Sequence, residues 1–286
     1  MANLKEIRNR ISSIGSTMKI TSAMKMVSAA KLKKAQDAIV QMRPYSNKLS
    51  ELLQNLSATL DMEDGGAFTV QKGDDRVLIV AITSNRGLCG GFNSNIIKQV
   101  IHIASSKYAG KKVTVLTIGK KGNDILKKSF DIYRNEGEVF DDLTFENVAP
   151  IAEDLMDKFA SGEFDKIELV YNRFKNAATQ IITHEQYLPI VPPKSGTETN
   201  TDYIFEPNKE EIVKGLIPKS LKIQLFKALR DSMAAEHGAR MTAMHKATDN
   251  ATELRDELLL VYNKARQAAI TNEILEIVGG AEALKN

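Results

Sequence analysis

The first sixty residues carry an apolar seam too long for any compact domain to enclose. Stepping alternately by four and three from Ile7 reaches Ile11, Ile14, Met18, Thr21, Lys25, Ser28, Leu32, Ala35, Ile39, Met42, Ser46, Leu49, Leu53, Leu56 and Leu60, most of them apolar. Such spacing belongs to a helix buried along one stripe against a second helix. A compact chain of 286 residues has a radius of gyration of roughly 19 Å, whereas a helix of about 60 residues is about 90 Å long. The helix must therefore leave the globule. Pro44 lies inside the seam, and because proline lacks an N–H and crowds the preceding turn it is expected to kink or interrupt the helix near Arg43.

A second seam lies at the other end. After Pro218 there is no proline, and the only glycine before Val278 is Gly238. The same stepping runs from Phe226 through Met233, His237, Met244, Ala251, Leu258 and Ala265 to Leu275, weaker than the first and richer in alanine, which lets two helices approach closely. Gly279-Gly280 is expected to stop the helix. Two seams that each need burial are satisfied most economically by one another, with an inserted domain bringing the chain back so that the pair is antiparallel.

Between them the period changes. Strands are expected at 76–83, 112–118, 166–171 and 179–190, and helices at 93–107, 123–128 and 145–160. Strands alternating with helices imply a mostly parallel sheet. The expected organisation is an N-terminal coiled-coil helix over 1–60, an α/β domain over 75–192, a loop over 193–209 entered at Pro192-Pro193, and a C-terminal coiled-coil helix over 210–286. The fold class is thus α/β with long terminal helices, a rod with a globular foot.

Several function classes fall away. The longest unbroken apolar run, Val77 to Ile82, is far short of the roughly 18–20 residues that cross a bilayer. The N-terminus lacks the apolar core of a signal peptide and the long Arg/Ser-rich lead of a transit peptide, so it reads as a mature start. A single cysteine, Cys89, forms neither an internal disulfide nor a multi-thiolate metal site. The net charge of +3 conceals a basic N-terminal helix, with ten Lys or Arg against two acids over 1–48. Such a helix suits either phosphates or an acidic protein surface. Tyr45 is its only aromatic residue, so base stacking has little to rest on and nucleic acid is not the expected partner.

The glycine cluster Ser84-Asn85-Arg86-Gly87-Leu88-Cys89-Gly90-Gly91-Phe92-Asn93 follows a strand and opens a helix, where a dinucleotide phosphate would sit. Its spacing matches neither phosphate-binding fingerprint, and no ribose-binding acid ends the second strand, so a tight structural turn with a buried Cys89 is the better reading. His102, His184, His237 and His245 form no metal pattern; the last two are eight residues apart on one helix, too far to share an ion. No nucleophile has its base. No catalytic residue, cofactor or metal site is expected in the chain. An autonomous nucleotide-binding enzyme and a coiled-coil nucleic-acid adaptor stay as alternatives, to be separated by ligand binding and by salt-dependent DNA affinity.

Two helical segments carry apolar residues beyond one face. Lys19 to Lys31 breaks the first seam while including Ile20, Met24, Met26 and Val27. Ala265 to Val278 includes Ile270, Ile274, Leu275, Ile277 and Val278. Apolar residues on more than one face mean more than one partner, and an apolar helix end should be enclosed by another protein.

These segments carry a family resemblance. The sequence resembles the γ subunit of F-type ATP synthases, of bacterial type, essentially end to end. The carriers are Lys19-Ile20-Thr21-Ser22-Ala23-Met24-Lys25-Met26-Val27, Arg86 to Asn93, Glu236-His237-Gly238-Ala239-Arg240-Met241-Thr242-Ala243-Met244, Ala247-Thr248-Asp249-Asn250-Ala251 and Ile270 to Ala281. Asn85 stands where family members usually have aspartate, and Gly238 where alanine is usual. The resemblance implies a non-catalytic rotor shaft: an antiparallel coiled coil inside a ring of three α and three β subunits, with a Rossmann-like α/β domain joined to the ε subunit and the membrane c-ring. It implies β-subunit contacts at Ile20, Met24, Lys25, Met26, Arg240, Gln267 and Thr271, and ε or c-ring contacts at Tyr203 and Glu206. It further implies a peripheral protein on the cytoplasmic side of a bacterial plasma membrane, held there by its partners in a proton-translocating complex.

Overall fold

The computed structural model describes residues 4–58, 68–190 and 209–283. The expected loop over 193–209 falls outside them except for Lys209, where α5 begins. The elements run α1 (Leu4–Ala58), β1 (Arg76–Ile82), α2 (Phe92–Ser106), β2 (Lys112–Ile118), α3 (Lys120–Leu126), β3 (Asp131–Asn135), a short 3-10 turn, α4 (Phe145–Ala160), β4 (Lys166–Phe174), β5 (Gln180–Leu188) and α5 (Lys209–Ala283). The contacts divide them into two units: α1 up to Ser28 with α5 from Met241 onward, and everything from Ala29 to Arg240.

The larger unit is built on a five-stranded sheet of order β3-β2-β1-β4-β5. β1 pairs in parallel with β2 and β4, β2 in parallel with β3, and β5 closes the other edge antiparallel to β4. β1 is central and covered on both faces, which is why its sequence is a continuous apolar run and not an alternation. Leu78, Val80 and Ile82 face α4 through Val148, Leu155 and Phe159, and the first part of α5 through Leu221, Leu225 and Leu229. Val77, Ile79 and Ala81 face α2 through Ile96, Val100 and Ile103. In the smaller unit α1 and α5 lie antiparallel: Arg8 meets Tyr262, Met18 meets Thr252, and Thr21 meets Thr248.

Four details differ from the sequence expectation. β3 was not foreseen, being a five-residue edge strand with only two consecutive apolar positions, Ile132 and Tyr133. α3 begins three residues before the expected helix, immediately after Gly119. α1 runs unbroken through Pro44. Pro44 and Val40, whose carbonyl loses its donor there, are both exposed, so water can satisfy that carbonyl, while Leu32, Ala35, Ile39, Ser46 and Leu49 are buried on either side. α5 likewise continues through Gly279-Gly280 to Ala283, each glycine tolerated at a cost of about 1 kcal/mol relative to alanine.

Candidate functional site

The seam of α1 is the buried stripe of that helix. Ile7, Thr21, Ser28, Leu32, Ala35, Ile39, Ser46 and Leu49 are all buried. The polar break between 21 and 28 is explained by small side chains at a close helix approach: Thr21 and Thr248 share a hydroxyl hydrogen bond of 2.8 Å. Lys25 lies at the edge of the same contact, its Nζ 3.4 Å from His245 Nδ1. Arg8 donates to the Tyr262 hydroxyl at 2.6 Å.

On the opposite side of α1 a second stripe faces outward. Ile20 is 60% exposed, Met26 64% and Val27 57%, with exposed Ala23 and Ala30 at the same helical spacing. Met24 is half-buried between the two stripes. On α5, every residue from Arg266 to Ala283 is exposed. That stretch includes Ile270, Ile274, Leu275, Ile277 and Val278. Gln267 and Thr271 lie in it, Thr271 donating to the Gln267 carbonyl at 2.9 Å. The smaller unit therefore presents Ile20, Met26, Gln267 and Thr271 to solvent. Tyr203 and Glu206 lie outside the described residues.

Arg240 is placed differently from these. It is 8% exposed, and its guanidinium donates to the Gly87 carbonyl at 3.2 Å and the Arg86 carbonyl at 3.0 Å while pairing with Glu236 at 2.6 Å. It ties α5 to the glycine-rich turn. Burial pushes the Glu236 carboxyl upward, and Arg240 opposes that shift. The turn itself is held by side chains: Asn93 Oδ1 accepts from the Ser84 amide at 2.9 Å, Asn93 Nδ2 donates to Ser84 Oγ at 2.8 Å and to Cys89 Sγ at 3.3 Å. Cys89 packs with Phe92, Ala235 and Ala239, and burial raises its thiol pKa. Carbonyls turned toward an arginine are the reverse of amides turned toward a phosphate, so the turn is an anchor.

Asn85, one of the two departures, uses both halves of its amide: Nδ2 donates to the Gly137 carbonyl at 2.7 Å and Oδ1 accepts from the Lys120 amide at 3.0 Å. An aspartate could only accept. At Gly238, a Cβ would lie 3.2 Å from the Ala177 Cα and carbonyl oxygen, so the glycine permits a close approach of that loop. Among the described residues no group of His, Cys, Asp and Glu could hold a metal ion, and no helix is long and apolar enough to cross a membrane.

Sequence reasoning did not reach a further charged centre of the larger unit. Glu168 on β4 is 0% exposed and accepts from Lys107 Nζ, Tyr108 Oη and His184 Nε2, each at 2.5 Å. These donors outweigh burial and hold its carboxyl down at about 2. A lone glutamate inside an apolar strand was the available signal.

Comparison with known proteins gives a consistent result. A family model described as ATP synthase matches residues 3–284. The ATP synthase gamma chain of Flavobacterium psychrophilum is 71% identical over 286 residues, covering all of both chains. A chain of the Tetrahymena thermophila mitochondrial ATP synthase central stalk and c-ring structure is 25% identical, covers 80% of this chain and 99% of that one, and has a TM-score of 0.61. A chain of the Euglena gracilis mitochondrial ATP synthase, at 22% identity and a TM-score of 0.69 over 98% and 94% of the two chains, shares the fold.

Proposed function

The chain belongs to the ATP synthase gamma-chain family, and on that premise we propose that it is the central rotor shaft through which ion flow in a membrane c-ring is coupled to ATP synthesis and hydrolysis. As a gamma chain it is a non-catalytic subunit. Its partners in this reading are the α and β subunits around the helical pair, and the ε subunit and c-ring at the sheet unit. It is peripheral to the membrane through those partners, on the cytoplasmic face in a bacterium, with protons as the coupling ion.

The observation that carries the reading is the exposed apolar end of α5. Burying a large apolar side chain contributes about 1.5–3 kcal/mol, so Ile270, Ile274, Leu275, Ile277 and Val278 supply a strong reason to be surrounded. The way such a shaft works follows from population arithmetic. A surrounding β subunit moved from 1:99 to 99:1 between two conformations needs about 5.5 kcal/mol of differential interaction. One exposed ion pair supplies about 0–1 kcal/mol. The difference must be spread over many positions on an asymmetric surface, among which Ile20, Met24, Lys25 and Met26 on α1, and Arg240, Gln267 and Thr271 on α5, are the proposed β contacts. Tyr203 and Glu206 are the proposed ε and c-ring contacts.

Reconstitution tests the reading. The chain added to purified α and β subunits should form a complex whose ATPase rate responds to substitutions at Met24 and Lys25, while the chain alone should hydrolyse no ATP. Failure to co-purify with α and β, or turnover by the chain alone, would refute it.

A further inference from the structure

The larger unit contains a cleft of about 580 Å³ lined by Arg43 from α1, Arg173 from the end of β4, Lys175 just beyond it, and Lys227 and Asp231 from α5. Phe174 and Ile181 supply its apolar wall. That volume is in the range of small-molecule sites, about 300–1,000 Å³. Four cations converge on it. Among the described residues, none of Arg173, Lys175 and Lys227 has a carboxylate within ion-pair distance; Arg43 reaches Asp231 only at 3.7 Å.

Asp231 sharpens the chemistry. It is 2% exposed, and its Oδ1 has no hydrogen-bond partner. Arg43 Nη2 at 3.7 Å is beyond hydrogen-bond reach. A buried acceptor left unmade is costly, so a ligand here gains by bringing its own donor. Among the described residues a second carboxylate in the neighbourhood, Glu185, accepts from the Gln224 amide at 3.3 Å and interacts with Lys227, Arg173 and Asp231. The cleft thus asks for an anion that also carries an O–H.

We propose that this cleft binds the phosphate group of a small phosphorylated molecule, with Arg173, Lys175 and Lys227 facing its oxygens and a hydroxyl, that of hydrogen phosphate or one on the organic part of an ester, donating to Asp231 Oδ1. Arginine and lysine are the usual phosphate partners, arginine by its planar fork. Sulfate, which carries no proton at neutral pH, leaves Asp231 unpaired. The cleft is larger than a phosphate group, and the wall of Phe174 and Ile181 accommodates an organic part. The two sources of the phosphate are free orthophosphate and a phosphate ester.

The test is calorimetric titration of the full chain with orthophosphate, sulfate and adenosine monophosphate at one ionic strength. The expected result is saturable binding, with phosphate tighter than sulfate by at least about tenfold, a factor equal to about 1.4 kcal/mol. Tighter binding of the monophosphate than of orthophosphate identifies the ester as the ligand class, and the opposite order identifies the free anion. No saturable binding of either, or sulfate equal to phosphate, overturns the proposal. Arg173 and Lys175 are exposed, so the double variant Arg173→Gln/Lys175→Gln should keep its melting temperature and lose at least about tenfold in affinity; unchanged affinity would place the binding elsewhere and overturn it. Asp231→Asn, whose amide can donate to sulfate, should shrink the phosphate preference, and a preference retained in full would remove Asp231 from the site.

Discussion

Arg240 offers a direct way to separate an internal tie from a contact made only in the complex. In Arg240→Ala three interactions go: the bonds to the Gly87 and Arg86 carbonyls and the pair with Glu236. Hydrogen bonds from a charged donor contribute about 1.5–3 kcal/mol when buried, but Arg86 is exposed and its carbonyl regains water, so about 1 kcal/mol each is the fair figure. Glu236 is different. With 12% of its side chain exposed, it is left as a buried charge, and stranding one partner of a buried pair costs up to about 3–5 kcal/mol. Protonation of a carboxyl whose pKa is already raised by burial limits the loss, to about 2 kcal/mol. The single variant should therefore lose about 4 kcal/mol, while Arg240→Ala/Glu236→Gln, with no charge to strand, should lose only about 2. Urea unfolding of the chain without partners, followed by circular dichroism at matched slopes, measures both. A loss under about 1 kcal/mol, or a double variant less stable than the single, refutes the tie and leaves Arg240 free to act only through a partner.

Gly119→Ala should destabilise the sheet unit by more than about 3 kcal/mol, because φ is +120° and the new Cβ would lie 2.3 Å from the Thr83 carbonyl oxygen; thermal unfolding reads this. Glu168, held down at about 2 from an ordinary 4.5, contributes stability that is fully present above about 4.5 and is lost as pH falls toward about 2; Glu168→Gln should flatten that acid limb in urea midpoints measured across pH, at the cost of lower stability at neutral pH. Met24→Lys sets a second cation beside Lys25 on the half-buried border of the outer stripe, and should lower the ratio of proton pumping to ATP hydrolysis in inverted membrane vesicles. Ile274→Ser/Leu275→Ser, at positions 54% and 63% exposed, should leave the melting temperature of the chain nearly unchanged and reduce the yield of complex with α and β.

The parts of this fold that were legible in the sequence are those written as periods. The stepping from Ile7 to Leu49 picks out the buried stripe of α1 because a single partner helix imposes one repeat. β1 is legible because burial on both faces removes every polar residue after Arg76 from it. β3 was illegible for the complementary reason: an edge strand buries little, and Asp131, Arg134 and Asn135 carry no pattern. Pro44 misled because its local cost is real but is outweighed by buried residues on either side. The tie from Arg240 to the turn joins residues 153 and 154 positions apart, and Arg43, Arg173 and Asp231 come together from three elements. No local pattern encodes such convergence, so the charged cleft and the Glu168 cluster appear only in three dimensions.

The exposed surface of the helical unit contains two kinds of residue, and the thermodynamics of coupling assigns them different work. A side chain enclosed equally well in every orientation of its partner contributes affinity and no switching, since equal affinity for two states shifts neither. The end of α5, with Ile270, Ile274, Ile277, Val278 and Leu275 spread over nearly half its circumference, comes nearer that condition: apolar contact is non-directional, and so broad an apolar face is held over a wide range of partner angles. The outer stripe of α1 is unlike it. Ile20, Met26 and Val27 are exposed next to Lys19 and Lys25, so a partner at one angle meets apolar surface and at another meets charge. Only such an abrupt change of chemistry with angle gives one β subunit a different interaction from its neighbours. The assembly defect expected at Ile274 and Leu275 and the coupling defect expected at Met24 should therefore occur independently of each other.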